Sequence, residues 1–512
     1  MCGILFTNKS ILNVNYVIKF LKNRGPDNTS LINLFDYNFL HVLLSMTGQD
    51  YTIQPFVYDE IVILFNGEIY NYKEFGNFNS DGECIIEAYT LYGDDFVKHL
   101  DGEFAITLFD KNRDLIIFTT DVFGIKPLWY SIEDGSIGVS SYKSCLTRLF
   151  FNNIVEADPN TTYFVSMTDY SIIKTSTVYD FDLEQHKTSY DDWSTAFENS
   201  ILKRAQNIKH KIYIGLSSGY DSGAIACVLN KYNIDFKAYT IYGSENIEIL
   251  NQRLAMHKNN KILNVDVDIF KKVKAYLKNN CEEYTMFIDN DEEKNMNMWI
   301  DKLNEATNIS NTNEIVNAQS KISAYKAALT KALNNPITDD NGSIGLGTIC
   351  GLARPCDELI YLTGSGADEI LSDYGWKGVR HYRHSTIGGH FPDDLSSVFP
   401  WRNFFGNTQR AYLRKEEYVA GTFGIEGRYP FLDKQLVQEF LWLTAELKNR
   451  YYKAPLHNYM IVNNYPFAIN EKIGFNCGID SQNANGIVQR KASRTEIGIT
   501  ADPTLIVPIR VV

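Results

Sequence analysis

The sequence predicts an α+β domain of antiparallel strands followed by an α/β domain with a parallel sheet and a helical C-terminal part. Three observations carry this expectation. Residues 1–175 alternate short apolar runs with turn punctuation. From residue 196 onward strand and helix patterns alternate, the rhythm of a doubly wound sheet. Between them, residues 176–195 are polar and read as a linker. A chain of 512 residues is also too long for one ordinary core, so at least two domains are expected.

The elements follow in order. VILF (62–65) runs into NGEIYNY, and FAITLFD (104–110) and DLIIFTTD (114–121) flank the turn-like KNR as a hairpin. SIGVSS (136–141) is a further strand. CIIEAYTLYG (84–93) has helical spacing, with Ile85, Ala88, Tyr89 and Leu91 toward one side. In the second half a helix (192–207) leads to the strand KIYIGL (211–216), the loop SSGYDSG and the helix AIACVLNKY. FKAYTIYG (236–243), helical EILNQRLAMH and the strand KILNVDVD come next. Residues 290–345 are Asn-rich and predict helices, AYKAALTKALNN being the best piece. ELIYLTGSGADEI (358–370) returns to strand, glycine loop and acidic end, and the last hundred or so residues read as mainly helical. The apolar ending IVPIRVV fits no element.

Composition narrows the function. A formal charge of −13 gives no electrostatic reason to bind nucleic acid or an anionic membrane. No apolar run approaches the roughly 20 residues that span a bilayer. The N-terminus lacks the features of a signal peptide, which makes the cytoplasm the default compartment. Eight cysteines without a CxxC pair argue against a disulfide framework or a zinc site.

Two segments carry chemistry. In IGLSSGYDSGAIA, Gly215, Gly219 and Gly223 let backbone N–H groups approach an anion, and the helix that follows favours negative charge at its start. A tight strand-to-helix turn without a ligand is the alternative. At the N-terminus, Cys2 precedes Gly3. If Met1 is removed, the freed α-amino group of Cys2, with a pKa of about 7.7–8.0, can act as base for the thiol beside it.

Several motifs then fall in one order. Met1-Cys2-Gly3-Ile4 is followed by Arg24-Gly25-Pro26-Asp27, Asn66-Gly67-Glu68-Ile69-Tyr70-Asn71, Ser80-Asp81-Gly82-Glu83, LDGEFAITLFD and Asp121-Val122-Phe123-Gly124-Ile125-Lys126-Pro127-Leu128. The second half has Ser217-Ser218-Gly219-Tyr220-Asp221-Ser222, Thr363-Gly364-Ser365-Gly366-Ala367-Asp368-Glu369, the segment Glu426 to Asp433, Tyr452-Lys453-Ala454-Pro455-Leu456 and Glu471-Lys472-Ile473-Gly474-Phe475. Together they resemble the glutamine-hydrolysing asparagine synthetase family over nearly the whole chain. The resemblance implies an Ntn-hydrolase-like antiparallel sandwich over 1–175, a class II glutamine amidotransferase domain. It implies a PP-loop (adenine nucleotide alpha hydrolase-like) ATP-dependent domain over 196–512.

Further implications are residue by residue. Cys2 would attack the glutamine amide. Asn66 and the N–H of Gly67 would hold the oxyanion. Arg24, Glu68 and Asp81 would bind glutamine, Glu68 and Asp81 at its α-amino group. Leu216, Ser217, Ser218, Gly219, Asp221, Ser222, Gly364, Ser365 and Asp368 would bind ATP and pyrophosphate. Asp221 and Asp368 would hold Mg²⁺, and Lys453 would neutralise charge on the phosphates. The implied reaction activates a carboxylic acid, by default aspartate, as an acyl-adenylate and releases AMP and pyrophosphate. The resemblance also allows a homodimer.

The residues have plainer alternatives. Asn66-Gly67 can be a turn, Asp368 a helix cap, and Glu426 with Arg428 a structural ion pair. Two positions depart from the family. Leu43 stands where the family has an arginine for the glutamine α-carboxylate, and leucine makes no such contact. Ser365 replaces a glutamate thought to assist attack of the amine, and serine accepts no proton at neutral pH. Glu416 and Glu417 are candidates for a replacement carboxylate, although a solvated helix face is their simpler reading. Two rival functions therefore stay open: an amide-forming or ring-closing synthetase with a silent glutaminase domain, like the β-lactam-forming synthetases, and a degenerate nucleotide-binding regulator.

Overall fold

The computed structural model describes residues 1–48, 51–206, 208–243, 245–286, 292–308, 311–333, 335–469, 471–472 and 495–496. Two antiparallel sheets of six strands form the N-terminal part. The first runs in the order Val155–Glu156, Trp129–Glu133, Ser136–Ser140, Gly3–Thr7, Tyr37–Leu43, Asn28–Leu34. The second runs Ile172–Thr177, Thr161–Ser166, Leu115–Thr120, Gly102–Asp110, Ile61–Ile69, Phe56–Tyr58. Side chains alternate across a strand. Ile4 and Phe6 of one sheet and Val62, Leu64 and Phe109 of the other fill the space between them. Ile63, Phe65 and Ile69 face outward and pack in a second cluster with Ile85, Ala88 and Tyr89 of the helix Cys84–Tyr92. The expected sandwich is thus observed, with one correction: Leu91 is exposed, because the helix buries Cys84 rather than its last turn.

Asn66-Gly67 is not a turn. Both lie inside the strand Ile61–Ile69, paired with Ala105 and Phe104. Gly67 has φ +149°, and a Cβ there would sit 2.0 Å from the Glu103 carbonyl oxygen, so only glycine fits this approach. The segment Asp121–Leu128 owes its shape to one carboxylate. Asp121 accepts the N–H groups of Phe104, Phe123, Ile125 and Lys126. Burial pushes its pKa up to about 6 in spite of them.

The second half builds a five-stranded sheet, all parallel, in the order Asn260–Leu263, Lys237–Ile241, Lys211–Gly215, Glu358–Leu362, Glu426–Arg428. KILNVDVD was too long a strand expectation. The strand ends at Leu263, and Asp266 instead caps the helix Val267–Asn280 by accepting the Ile269 N–H at 2.8 Å. The Asn-rich region carries the helices Glu292–Asn308, Thr312–Leu333 and Asn341–Ala353. Thr408–Thr422, Lys434–Trp442, Ala445–Asn449 and Ala454–Val462 make the later part helical. Ile473-Gly474-Phe475 and IVPIRVV lie outside the described residues. Among the described residues no helix is long and apolar enough to cross a membrane.

The polar run before the second half is docked rather than loose. The Asp182 N–H donates to Gln438 Oε1, and the N–H groups of His186 and Lys187 both donate to the Trp442 carbonyl, each at 2.9 Å. The two halves meet across a buried ionic network. Glu417 of the helix Thr408–Thr422 pairs with Arg24 at 3.0 Å and Lys126 at 3.2 Å. The Tyr429 hydroxyl donates to the same carboxylate at 3.2 Å. Lys126 also donates to the Gly427 carbonyl at 2.7 Å. Arg204 bridges Glu103 and Asp433 at 2.7 and 3.0 Å. Removing one partner strands the others in a medium of low polarity. Glu417→Ala leaves two buried cations facing each other, and is expected to cost about 3–5 kcal/mol of stability in a chemical-denaturation curve.

Candidate functional site

The N-terminal cleft lies where the strand Gly3–Thr7 begins. Cys2, Ser45, Thr47, Gly67, Asp81 and Glu426 are among the residues that line it, together with Leu43 and Glu68. Cys2 is nearly buried, and its Sγ lies 3.6 Å from the Leu44 carbonyl. Burial pushes its thiol up to about 11, with the chain-terminal ammonium opposing. That ammonium belongs to Met1 and pairs with Glu426 at 3.2 Å. Burial lowers the amine's own pKa, against the attraction of Glu426.

Asn66 is fully buried, and among the described residues neither its amide nitrogen nor its amide oxygen has a hydrogen-bond partner. Such an orphan is costly in a native fold and is the kind of group retained for a functional role. Asp81 accepts the Ile69 N–H at 2.8 Å and the Thr47 hydroxyl at 3.0 Å, while burial raises it to about 6. Glu68 and Glu426 share Arg428, at 3.3 and 2.7 Å. Burial works against both charges. Glu426 nevertheless stays ionised, held down to about 2 by the Met1 ammonium, Arg428 and Lys126. Glu68, facing that charge, is raised well above the carboxylate range. The Glu426–Arg428 ion pair considered from sequence is present, and it also forms part of this cleft.

Arg24 requires a correction. It does not line the cleft. It is buried behind Cys2, where Nε donates to the Cys2 carbonyl at 2.8 Å and the rest of the guanidinium goes to Glu417 and Tyr142. Its geometry positions the cysteine backbone and leaves no free edge for a substrate.

The second site is a cavity of about 330 Å³ at the C-terminal ends of the strands Lys211–Gly215 and Glu358–Leu362, where open α/β sheets bind ligands. Ser217, Gly219, Asp221 and Ser222 form one wall, and Gly364, Ser365 and Asp368 another. A Cβ on Gly364 would lie 2.8 Å from the Asp221 Cβ, so glycine lets the two loops close on each other. Ser217 and Ser222 hydroxyls meet at 2.8 Å. Lys453, buried and left-handed at φ +47°, joins the loops by reaching Asp221 Oδ1 at 2.6 Å and Asp368 Oδ1 at 2.7 Å. Leu216 and Ser218 are buried beneath the wall. Ser218 donates its N–H and hydroxyl to Glu245 rather than facing the cavity.

Two carboxylates drawn to one cation are hard oxygen donors of the kind Mg²⁺ uses together with substrate phosphates, so Asp221 and Asp368 fit that ion. Among the described residues no group of three or more His, Cys, Asp or Glu could hold a metal without such help.

The pair Glu416-Glu417 does not lie on a solvated face. Glu417 is in the buried network above. Glu416 lines the cavity, where both its oxygens accept hydroxyls, from Thr363 at 2.6 Å and Ser365 at 2.7 Å. Burial raises its pKa. Sequence reasoning missed Arg253, which donates to the Gly219 carbonyl at 2.8 Å beneath the loop. It also missed the tyrosines 361, 374, 382 and 412 and the Lys415–Asp340 pair (3.4 Å) at the far wall. None belongs to a local motif, and only the fold brings them together.

Comparison with known proteins agrees with this geometry. Residues 1–182 match the glutamine amidotransferase domain family. A putative asparagine synthetase (glutamine-hydrolysing) of Methanocaldococcus jannaschii is 25% identical over 509 residues, covering 88% of this chain and 81% of that protein. An asparagine synthetase (glutamine-hydrolysing) of Triphysaria versicolor is 29% identical over 48% of this chain and 44% of its own length. One from Bacillus subtilis is 37% identical over 24% and 18%. The chain thus spans most of the first relative but under half of the other two. Residues 1–182 are a glutamine amidotransferase domain, carried on a chain homologous to the glutamine-hydrolysing asparagine synthetases.

Proposed function

We propose that this chain uses ATP and the amide nitrogen of glutamine to convert a carboxylic acid to its amide, with residues 1–175 as the glutaminase unit and 196–512 as the synthetase unit. The observation that carries the reading is the convergence of the 217–222 loop, Asp368 and Lys453 on one cavity, in the same chain as a cysteine cleft lined by Phe65 and Gly67, between which Asn66 keeps an unpaired amide behind the lining.

In the first cleft, loss of Met1 would give Cys2 its own α-amine in place of a peptide nitrogen. That amine takes the thiol proton, and the thiolate attacks the side-chain carbonyl carbon of glutamine. Asn66 and the Gly67 N–H stabilise the oxyanion. Ammonia leaves, and water cleaves the thioester to glutamate. Asp81 attracts the substrate's ammonium, and Glu68, its own carboxyl raised, accepts a hydrogen bond from it. In the second cavity a carboxylate oxygen of the acceptor attacks the α-phosphorus of ATP and pyrophosphate leaves, received by Ser217, Gly219 and Ser222. Lys453 offsets phosphate charge. Mg²⁺ held by Asp221 and Asp368 would supply further positive charge at the polyphosphate. Ammonia attacks the acyl carbon, its surplus proton goes to Glu416, and AMP leaves. Glu416 takes the place of the carboxylate absent at Ser365: it is half-buried at the cavity wall, anchored by two hydroxyls, and desolvation raises its pKa above the ordinary value, which makes it a better base. Aspartate is the default acceptor, and Lys415 with Asp340 offers both charges that an amino-acid acceptor would present. The glutamine-hydrolysing activity in the relatives' names does not favour a silent glutaminase or a regulator.

Incubation with ATP, Mg²⁺, glutamine and a panel of acids should release AMP, not ADP, with consumption of one acid. Cys2→Ala should abolish the glutamine-driven reaction and leave the ammonia-driven one. The acid limb of glutaminase kcat/KM, set first by protonation of the Cys2 amine, should steepen as pH drops below about 6, because Asp81, raised to about 6, is then protonated and no longer attracts the ammonium; Asp81→Asn should remove that added steepening. Glu416→Gln should lower amide formation by roughly 10²–10⁴-fold while ATP–pyrophosphate exchange continues, since only the later proton transfer needs the carboxylate.

A further inference from the structure

The lining of the Cys2 cleft is charged on one side only. Among the described residues Glu68, Asp81 and Glu426 contribute carboxyl groups, and no lysine or arginine lines it. The nearby guanidinium groups are taken, Arg24 by Glu417 and Arg428 by Glu426 and Glu68. A free amino acid, however, brings a carboxylate as well as an ammonium. Leu43, which lines the cleft, offers that carboxylate nothing.

One cation reaches the rim, and it comes from the other half of the chain. Lys209 stands two residues before the strand Lys211–Gly215 and donates from Nζ to Ser45 Oγ at 3.0 Å. Ser45 lines the cleft. The ammonium also lies 5.3 Å from the Tyr51 ring centre, beside Thr52 of the same lining. Among the described residues Lys209 has no carboxylate partner, so its charge is not yet neutralised. Its neighbour His210 fixes the approach, with Nε2 2.8 Å from the Ser45 carbonyl and Nδ1 2.9 Å from Asp357.

We propose that Lys209 supplies the cation that binds the α-carboxylate of the amino-acid substrate in the Cys2 cleft, so that the glutamine site is completed across the domain boundary. The proposal rests on the glutaminase reading above. A charge-assisted hydrogen bond on Lys209 would replace its neutral contact to Ser45. Specificity follows, because amides without an α-carboxylate gain nothing from it.

The test compares the full-length protein with Lys209→Met and Lys209→Arg, using Cys2-dependent ammonia release from glutamine and from 4-aminobutanamide, which is glutamine without its carboxylate. Lys209→Met is expected to raise KM for glutamine roughly ten- to a hundredfold with kcat little changed, and to leave the constants for 4-aminobutanamide as they were. Lys209→Arg is expected to recover most of the glutamine affinity. Matching thermal melting curves show that the variants are folded. An unchanged KM for glutamine in Lys209→Met, or an equal loss for both amides, overturns the proposal. No ammonia release from wild type, or release that survives Cys2→Ala, instead overturns the glutaminase reading on which it stands.

Discussion

Glu417 is the constraint around which the two halves are arranged. Its carboxylate is wholly buried and answers two cations that come from separate segments of the N-terminal sandwich, Arg24 and Lys126. Buried ions of this kind add little net stability, but they tolerate only one relative placement, since any slip leaves a charge unpaired. The placement matters for chemistry. Arg24 holds the Cys2 carbonyl with its third nitrogen, and Lys126 holds the Gly427 carbonyl inside the last parallel strand. Cys2 and the edge of the parallel sheet are therefore fixed by neighbours of the same side chain.

Within that frame, each site shows a different way of making reactive groups. The second cavity depends on loops with small residues: Gly364 allows contact with Asp221, and Lys453 closes it with a left-handed backbone. The cysteine cleft depends on burial. Asn66 keeps an unpaired amide, Asp81 is raised to about 6, and Cys2 to about 11, values that a polar surface would not give. Unpaired and shifted groups of this kind are costly, and proteins keep them where function needs them.

Legibility in the sequence followed the range of the interactions. The sandwich and the parallel sheet could be read from periodicity, because alternation along Ile61–Ile69 or Lys211–Gly215 is set by neighbours two residues away. The loop 217–222, Cys2 and Asp368 could be read from local motifs. Arg24 could not: its motif says nothing about whether the guanidinium faces a cleft or a partner helix 393 positions along the chain. Glu416 and Glu417 are adjacent in sequence and point to different sites, which only the packing of the helix Thr408–Thr422 decides. Glu426 in the N-terminal cleft and Lys209 at its rim were missed because the cleft is otherwise built by the first half of the chain.

The parallel sheet also has a direction. Glu426, at the start of its three-residue final strand, borders the cysteine cleft, while the Arg428 carbonyl at the strand's end accepts the N–H of Thr363 on the nucleotide side. At about 3.3 Å per residue, that strand is a strut of only about 10 Å. A shift of this strut along its axis is therefore felt at both cavities at once.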